Sequence, residues 1–584
     1  MRPEAARYAP FHKKWLTDAH CMSDEVRTQQ SLNNAASEGT SSRLANAVNL
    51  RRFAAPLAIT TLGLALYLPG ITWGLPGTTS WSQDTIAAYR AIGAVEGWPD
   101  QWKGRYPPLH YLTLRAAYEP VLEYWQHTGQ RVVDPQTGRV VLKPPHASKV
   151  GLLILIARCI TVVMAIVTGL GLWAATRQLT CDDSAALAAA VALMSGAAFT
   201  YFAHLGNVDI PSMCWFAWSV YFYAKAVQSS SWTSCLWLGL FASLAACTKD
   251  AAAAVYPGMA IVLLIAETHR RRVTRPRWRA LTSALLQPRW LVGLAAFALP
   301  YLVINGVLDN PGGYLARMRY WFAPASDSVL AGEYRYPNQL RLLLGMLHFA
   351  AGGVGWPMLA VMIVAVVYAV RRHVRLTLVM LLPAAVYYVA VIAQIRFVYA
   401  RFLFPPLALT CVLVGVATAA WLRRKDVATE VRWGVPCMIF LLTIGHAAAI
   451  DAEMLRDSRY AAEAWLADNV EPSSSVGAFS KPQYLPRLGD LSCPTYSVAM
   501  TREAFERPQP DYLILTSYNY DDFNGQQRAC MKDLLAGRFG YQPVATFKGQ
   551  YLGTGSSWLS LAGWGAPVPG KISPTITILR RAGG

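Results

Sequence analysis

The chain has 584 residues, 54% of them hydrophobic and only 15% charged, with a formal net charge of +19. Its mean hydropathy of +0.27 excludes an ordinary soluble protein, and long apolar runs separated by short basic stretches mark a polytopic membrane protein. The arginines gather at the ends of apolar runs, with no aromatic-interleaved basic domain. The basic surplus therefore answers to the positive-inside rule and to anionic lipid head groups, not to nucleic acid.

Residues 1–50 are poor in large apolar side chains and read as a disordered cytosolic N-terminus. Arg51 and Arg52 precede the first apolar run, 53–73, which reads as a retained signal anchor with its N-terminal end in the cytosol. The following loop, 74–149, is then extracytoplasmic. Within it, 85–95 and 109–125 have helical patterns, the second with a broad apolar side suited to the membrane interface. The stretch 131–142 sets Asp-Pro and Thr-Gly between β-formers and reads as a hairpin.

Further spans are predicted at 150–173, 184–203, 211–228, 232–247, 251–267, 290–308, 341–370, 376–395, 402–421 and 433–450, about eleven with the first. This alternation puts every heavy basic cluster on one side: Arg177, Lys225, seven arginines from Arg270 to Arg289, Arg371 to Arg375, and Arg423 to Lys425. Residues 51–450 form the membrane module. Residues 451–584 are polar, with β-like runs at 476–479, 512–516, 543–547 and 575–579 and a helix at 459–469. They read as a small extracytoplasmic α/β domain. The ten cysteines lack CxxC or Cys/His spacing, so no zinc site is predicted. Cys493 and Cys530 can pair if the C-terminal domain lies outside the cytosol.

Ionisable groups at a membrane boundary are costly and tend to be functional. On this topology five polar places share the outer face. They are Asp84 with Arg105, Tyr106 and His110; the turn from His204 to Pro211, with Asp209; the turn Thr248-Lys249-Asp250; the loop 309–340, with Arg317, Arg319, Tyr320, Trp321 and Glu333; and the stretch from Arg396 to Pro405, with Arg401. Cations suit a phosphate, a carboxylate suits a hydroxyl nucleophile as base, and aromatic faces suit a sugar ring. Each residue also has a plainer role. Asp84 and Asp209 can cap helices, Lys249 can snorkel to head groups, and Arg401 can anchor at the interface. His110 can be a structural hydrogen-bonder, and Tyr320 and Trp321 can belong to an aromatic belt.

Five motifs in order, Ser82-Gln-Asp84, Tyr106-Pro-Pro-Leu-His-Tyr111, Asn207-Val-Asp-Ile-Pro211, Thr248-Lys249 and Arg401-Phe-Leu-Phe-Pro405, give the chain a family likeness over roughly 55–450. It resembles the GT-C glycosyltransferases, in the branch with protein O-mannosyltransferases and the lipid A aminoarabinose transferase. That resemblance implies a polyprenyl-phosphate sugar donor, an extracytoplasmic lipid, glycan or protein acceptor, and hexosyl or pentosyl transfer with inversion. It implies Asp84 as general base or as ligand of a divalent cation (Mg, Mn or Zn), and Asp209 as the second carboxylate. Lys249, Arg401 and Arg396 fall where the donor phosphate is held, with Arg105, Tyr106, His110, Tyr320 and Trp321 in the substrate pocket. Family members often carry a second acid beside the first; Gln83 stands there in this chain, and Tyr106 stands where many carry Lys or His. The implied setting is a bacterial inner or plasma membrane, with membrane lipids around the module. A transporter or lipid flippase, and a non-catalytic assembly subunit, are the alternative classes.

Overall fold

The computed structural model describes residues 41–82, 84–96, 98, 106–133, 140–229, 231–272, 276–322, 335–491, 493–505, 509–517, 524–549 and 572–582. Every predicted span is helical over most of its length, two of them as bent helix pairs. Among the described residues six helices are long and apolar enough to cross a bilayer, or up to eight if each of two bent pairs counts as one. Phe53–Tyr67 and Trp232–Thr248 are shorter apolar helices. The predicted count of eleven lies above the six to eight that pass on length and composition among the described residues.

Helix α1 (Ser41–Tyr67) begins inside the stretch read as disordered, because Leu44 to Leu50 continues the helical run toward the N-terminus. The loop after it carries α2 (Ala88–Glu96), α3 (Leu109–His127) and the antiparallel pair β1 (Arg131–Val133) and β2 (Val140–Leu142). Helix α4 (His146–Thr180) has 35 residues, about 50 Å at 1.5 Å per residue, far more than a hydrocarbon core needs. Its buried side packs on α5 (Asp183–Met194) and α7 (Asp209–Ser229). Helix α7 packs in turn on α8 (Trp232–Thr248), and α8 on α11 (Pro288–Ile304). Close backbone approach, not bulk, makes these interfaces: a Cβ on Gly239 would run into the Gly293 carbonyl, and one on Gly415 into the Ala185 carbonyl. No residue of α11 is buried, as befits a helix that presents most of its surface to lipid.

Two breaks redirect the chain. Helix α5 turns by 67° into the short α6 (Ala197–Ala203), all of which is buried. The predicted span 341–370 is in fact α13 (Gln339–Val354) and α14 (Trp356–Arg372), folded back at 118°. Gly355 sits at the bend with φ +82°, a left-handed conformation that suits glycine, and Pro357 starts the next helix. The arginine-rich connection is less bare of acid than its sequence implies. Glu267 of α9 (Tyr256–Arg271) meets Arg271 at 2.6 Å, Arg289 at 2.6 Å and Arg270 at 3.2 Å. Helices α15 (Val374–Tyr387), α16 (Phe404–Leu422) and α17 (Thr429–Leu455) complete the module.

After α18 (Ser458–Asn469) comes a mixed five-stranded sheet in the order β4-β3-β5-β7-β6. Strands β3 (Val476–Ala478), β4 (Thr495–Ser497) and β5 (Tyr512–Thr516) run parallel. Strands β6 (Tyr541–Phe547) and β7 (Ile576–Arg581) are antiparallel. Helix α19 (Gly525–Leu535) starts on a capping box from Asn524 and Gln527. Cys493 and Cys530 do not pair; both are buried free thiols. Cys493 packs with Ala462 and Leu466, whereas Cys530 packs with Leu534 and Tyr541, in two separate apolar clusters. Each thiol is satisfied as a small core hydrophobe.

Candidate active site

The loop that carries Asp84 is tied down on both sides. Arg158 of α4 is fully buried; its Nη1 donates to the Ile71 carbonyl at 2.6 Å and its Nη2 to Ser80 Oγ at 3.1 Å. Ser80 Oγ also accepts from Thr85 Oγ1 (3.1 Å), and Ser82 Oγ accepts from the Asp84 amide (3.2 Å). Ser82 Oγ lies 3.0 Å from the Tyr201 hydroxyl of α6. One step on, the Ile86 amide donates to the Gly206 carbonyl at 2.8 Å, which joins this loop to the Asn207–Asp209 turn.

Asp209 opens α7. The Asn207 side chain accepts from its amide at 3.1 Å and donates to its Oδ2 at 3.0 Å. Asn207 thus takes up the Asp209 amide and holds one oxygen of its carboxylate. Lys249 follows α8 in an extended conformation (φ −151°, ψ 115°) before the 3-10 turn Asp250–Val255. That single extended residue swings its side chain inward, where Nζ meets Asp209 Oδ1 at 2.5 Å. Arg401 lies in the 3-10 turn Ala400–Leu403, just ahead of Pro405 and Pro406 at the start of α16. Its Nη1 donates to Asp84 Oδ1 at 2.7 Å and lies 3.9 Å from Asp209 Oδ2.

Two cations and two carboxylates thus alternate in a chain: Lys249, Asp209, Arg401, Asp84. Aromatic faces wall it. The Arg401 guanidinium lies 5.6 Å from the Tyr399 ring, 5.9 Å from Phe402 and 6.0 Å from Phe202, and Lys249 Nζ lies 5.1 Å from Phe402. Each is within cation–π range. Neither a helix-capping Asp209 nor a snorkelling Lys249 describes these contacts.

The other predicted residues divide. Tyr106 is half-buried and within electrostatic reach of Arg401. His110 is buried in α3 and its Nε2 has no hydrogen-bond partner among the described residues; burial pushes its pKa down to about 3, so the ring is neutral. Arg396 does not join the charge chain. It is exposed, in the left-handed region at φ +50°, and contributes its carbonyl to the Tyr336 amide. Arg105 and Glu333 lie outside the described residues. The backbone of Tyr320 and Trp321 belongs to α12 (Pro311–Phe322), but their side chains lie outside the description. Arg317 of that helix is buried against Asp250 Oδ2 at 3.2 Å and Asn305 Oδ1 at 2.6 Å, while Arg319 is exposed. Arg158 was missed, although a lone cation within the apolar run 150–173 is itself a signal.

Among the described residues no three His, Cys, Asp or Glu side chains cluster. The Asp84 and Asp209 carboxylates are already counter-charged by Arg401 and Lys249. Two such carboxylates do not supply the several free oxygen ligands that a hard divalent cation takes, so the pair does not fit one.

A family model described as dolichyl-phosphate-mannose-protein mannosyltransferase matches residues 150–287, from α4 through α10 (Arg277–Leu285), which include Asp209 and Lys249. No curated protein matches the sequence. Among solved structures, an Archaeoglobus fulgidus oligosaccharyltransferase in complex with Zn and sulfate is similar at 12% identity and a TM-score of 0.44, over 82% of this chain and 69% of that one. ArnT from Cupriavidus metallidurans bound to undecaprenyl phosphate is similar at 12% identity and 0.39, over 89% and 97%. The S. cerevisiae protein O-mannosyltransferase Pmt1-Pmt2 complex is similar at 14% identity and 0.27, over 46% and 34%. The mannosyltransferase match falls on the part of the chain that supplies Asp209 and Lys249.

Proposed function

We propose that this protein transfers one sugar, a hexose or a pentose, from a polyprenyl-phosphate donor to an extracytoplasmic acceptor, with inversion at the anomeric carbon. One observation carries the proposal. Arg401 Nη1 lies 2.7 Å from Asp84 and 3.9 Å from Asp209, while Asp209 holds Lys249 at 2.5 Å. Groups from four distant stretches of chain form one cluster of two cations and two carboxylates.

A donor phosphate entering this cluster meets Lys249 and Arg401. Arginine carries five N–H donors in a fixed fork, so Arg401 can hold a phosphate oxygen without releasing Asp84. Asp209 sets the direction of Lys249. As the acceptor hydroxyl oxygen attacks C1, its proton passes to the Asp84 carboxylate. The C1–O bond to phosphate breaks, and its electron pair leaves on the polyprenyl phosphate. Charge grows on that phosphate in the transition state, and cations fixed beforehand act there without reorganising. On this assignment the outer rim of the bilayer holds the site, and the C-terminal α/β unit stands outside the cytosol.

The test is incubation of purified protein with a panel of radiolabelled polyprenyl-phosphate sugars and candidate acceptors, following label from lipid to product and the anomeric configuration by NMR. Transfer that fails for every donor, together with substrate flux in vesicles, points instead to a transporter. Retention of anomeric configuration removes direct displacement.

A further inference from the structure

Resting on that reading, we infer that Arg459 and Arg487 of the C-terminal unit are positioning residues for Asp84, acting through Trp81. Trp81 lies in the short segment between α1 and Asp84 and is almost wholly buried. Its indole is held from the C-terminal side. The Arg459 guanidinium lies 4.3 Å from the Trp81 ring and 5.3 Å from the Trp73 ring. Arg459 Nη1 donates to the Trp81 carbonyl at 3.4 Å and to the Gln483 carbonyl at 3.0 Å. Its Nε and Nη2 grip Asp457 at 2.8 and 2.6 Å. The same Asp457 accepts from Trp73 Nε1 at 2.9 Å and from the Ser573 amide at 3.0 Å.

Arg487 reaches the segment from a second point. Its Nη1 donates to the Leu75 carbonyl at 2.9 Å, its guanidinium lies 5.6 Å from the Trp81 ring, and Glu463 fixes its other nitrogens. Tyr460 lies against Trp81 with ring centroids 4.7 Å apart and accepts from the Gly74 amide at 2.9 Å. From helix α4 of the membrane module Arg158 takes the Ile71 carbonyl and Ser80. The stretch that ends in Asp84 is therefore pinned between the membrane module and the C-terminal unit.

A buried ion pair is a poor way to gain stability, because apolar side chains of the same volume do as well. Arg459 and Asp457 are both wholly buried. What the pair supplies that apolar packing does not is direction: four hydrogen bonds from one guanidinium and a π-face on each of two indoles. A displacement of about 1 Å at a reacting group costs on the order of a hundredfold in rate. The C-terminal unit thus acts as the outer jaw that sets where Asp84 meets Arg401.

The experiment compares Arg459→Lys, Arg487→Met and Asp84→Asn with the parent full-length protein, in one detergent and with one donor. Arg459→Lys keeps the charge but loses the fork. We expect its kcat to fall tenfold or more at unchanged donor KM, with faster hydrogen exchange over residues 71–86. Arg487→Met is expected to do the same more weakly, and stands in if Arg459→Lys does not fold. Trp81→Phe, which keeps a ring for the guanidinium, should retain more of kcat than Trp81→Ala. Equal kcat for Arg459→Lys and parent, or equal exchange over 71–86, overturns the positioning role even if Tm falls. Absence of transfer by the parent protein overturns the underlying transferase assignment instead, and an Asp84→Asn that turns over within twofold of the parent overturns Asp84 as its base, whatever Arg459→Lys does.

Discussion

Replacing Asp84 by Asn separates chemistry from folding, and the geometry says by how much. The amide keeps the shape of the carboxylate and an oxygen that can still accept from Arg401. The lost charge does not strand Arg401, because Asp209 Oδ2 lies 3.9 Å from the same Nη1 that meets Asp84 at 2.7 Å. At an effective dielectric of about 20, unit charges at these two distances attract by roughly 4 and roughly 6 kcal/mol. Most of the counter-charge on Arg401 therefore survives, and the folding cost should be about 1–2 kcal/mol, the scale of one charge-assisted hydrogen bond. Loss of a general base costs about 10²–10⁴ in rate, or roughly 3–5 kcal/mol of barrier at 1.36 kcal/mol per decade. The expected result is a kcat lowered by about two to four decades, with a donor KM within a few-fold of the parent and a thermal transition only slightly lowered. Label transfer under saturating donor gives the first, its donor titration the second, and scanning fluorimetry in detergent the third. A variant that turns over within twofold of the parent refutes Asp84 as the base. One that loses donor binding and turnover in step refutes the separation of its role from that of the cations.

Lys249→Met should raise the donor KM by about tenfold or more, since a hydrogen bond to a charged group is worth about 1.5–3 kcal/mol. Asp209→Asn in the same background should recover stability, because the single change leaves the buried Asp209 carboxylate short of its counter-ion; a double variant less stable than Lys249→Met argues against the pairing. His110 has its pKa pushed down by burial to about 3 from its usual 6.5. Below pH 6.5 the unfolded chain takes up a proton that the folded chain refuses until about pH 3. Stability should thus fall as pH drops through that window and be indifferent to His110 above it. His110→Phe should flatten the acid limb of Tm against pH, and an unchanged limb would place the titration elsewhere. Chelation of divalent cations should leave transfer within about twofold, since Arg401 and Lys249 already counter-charge the two carboxylates. Loss of activity with EDTA, restored by Mn or Mg, would mean that Arg401 gives way to a metal.

How far the sequence reaches depends on the kind of signal. Asp84, Asp209, Lys249 and Arg401 stand out because each is an ionisable group beside an apolar run, where it is expensive. Which of them touch is another matter, since Arg401 is 317 residues from Asp84 and Lys249 is 40 from Asp209. Arg396 carries the same local signal as Arg401. What parts them is backbone conformation: a left-handed residue at 396 leaves that side chain exposed, and the 3-10 turn that follows swings Arg401 inward. Composition does not encode that difference. The fold-back at Gly355 is legible in hindsight from Gly-Trp-Pro within a run too long for one straight span. Strands β5 and β7 were readable because they are apolar and β-branched. Strand β4 (Thr495-Tyr-Ser497) has no such run and is a strand only because β3 offers it a parallel edge.

The case of Cys493 and Cys530 shows where linear proximity to a polar region misleads. Both lie in the C-terminal unit and neither lies in a predicted span, so an oxidising compartment would permit a bond. Sheet order decides against it. Cys493 packs with Val476, Ile514 and Ile578, and Cys530 with Leu513, Leu515 and Leu579. Ile514 and Ile578 alternate with Leu513, Leu515 and Leu579 along the same strands β5 and β7, and alternate side chains face opposite sides of a sheet. The two thiols are therefore on opposite faces. The same alternation gives the unit an apolar core on both faces of β5, whose five residues are all buried. Helix α18, which carries Arg459, packs on one of these faces through Ala462 and Leu466.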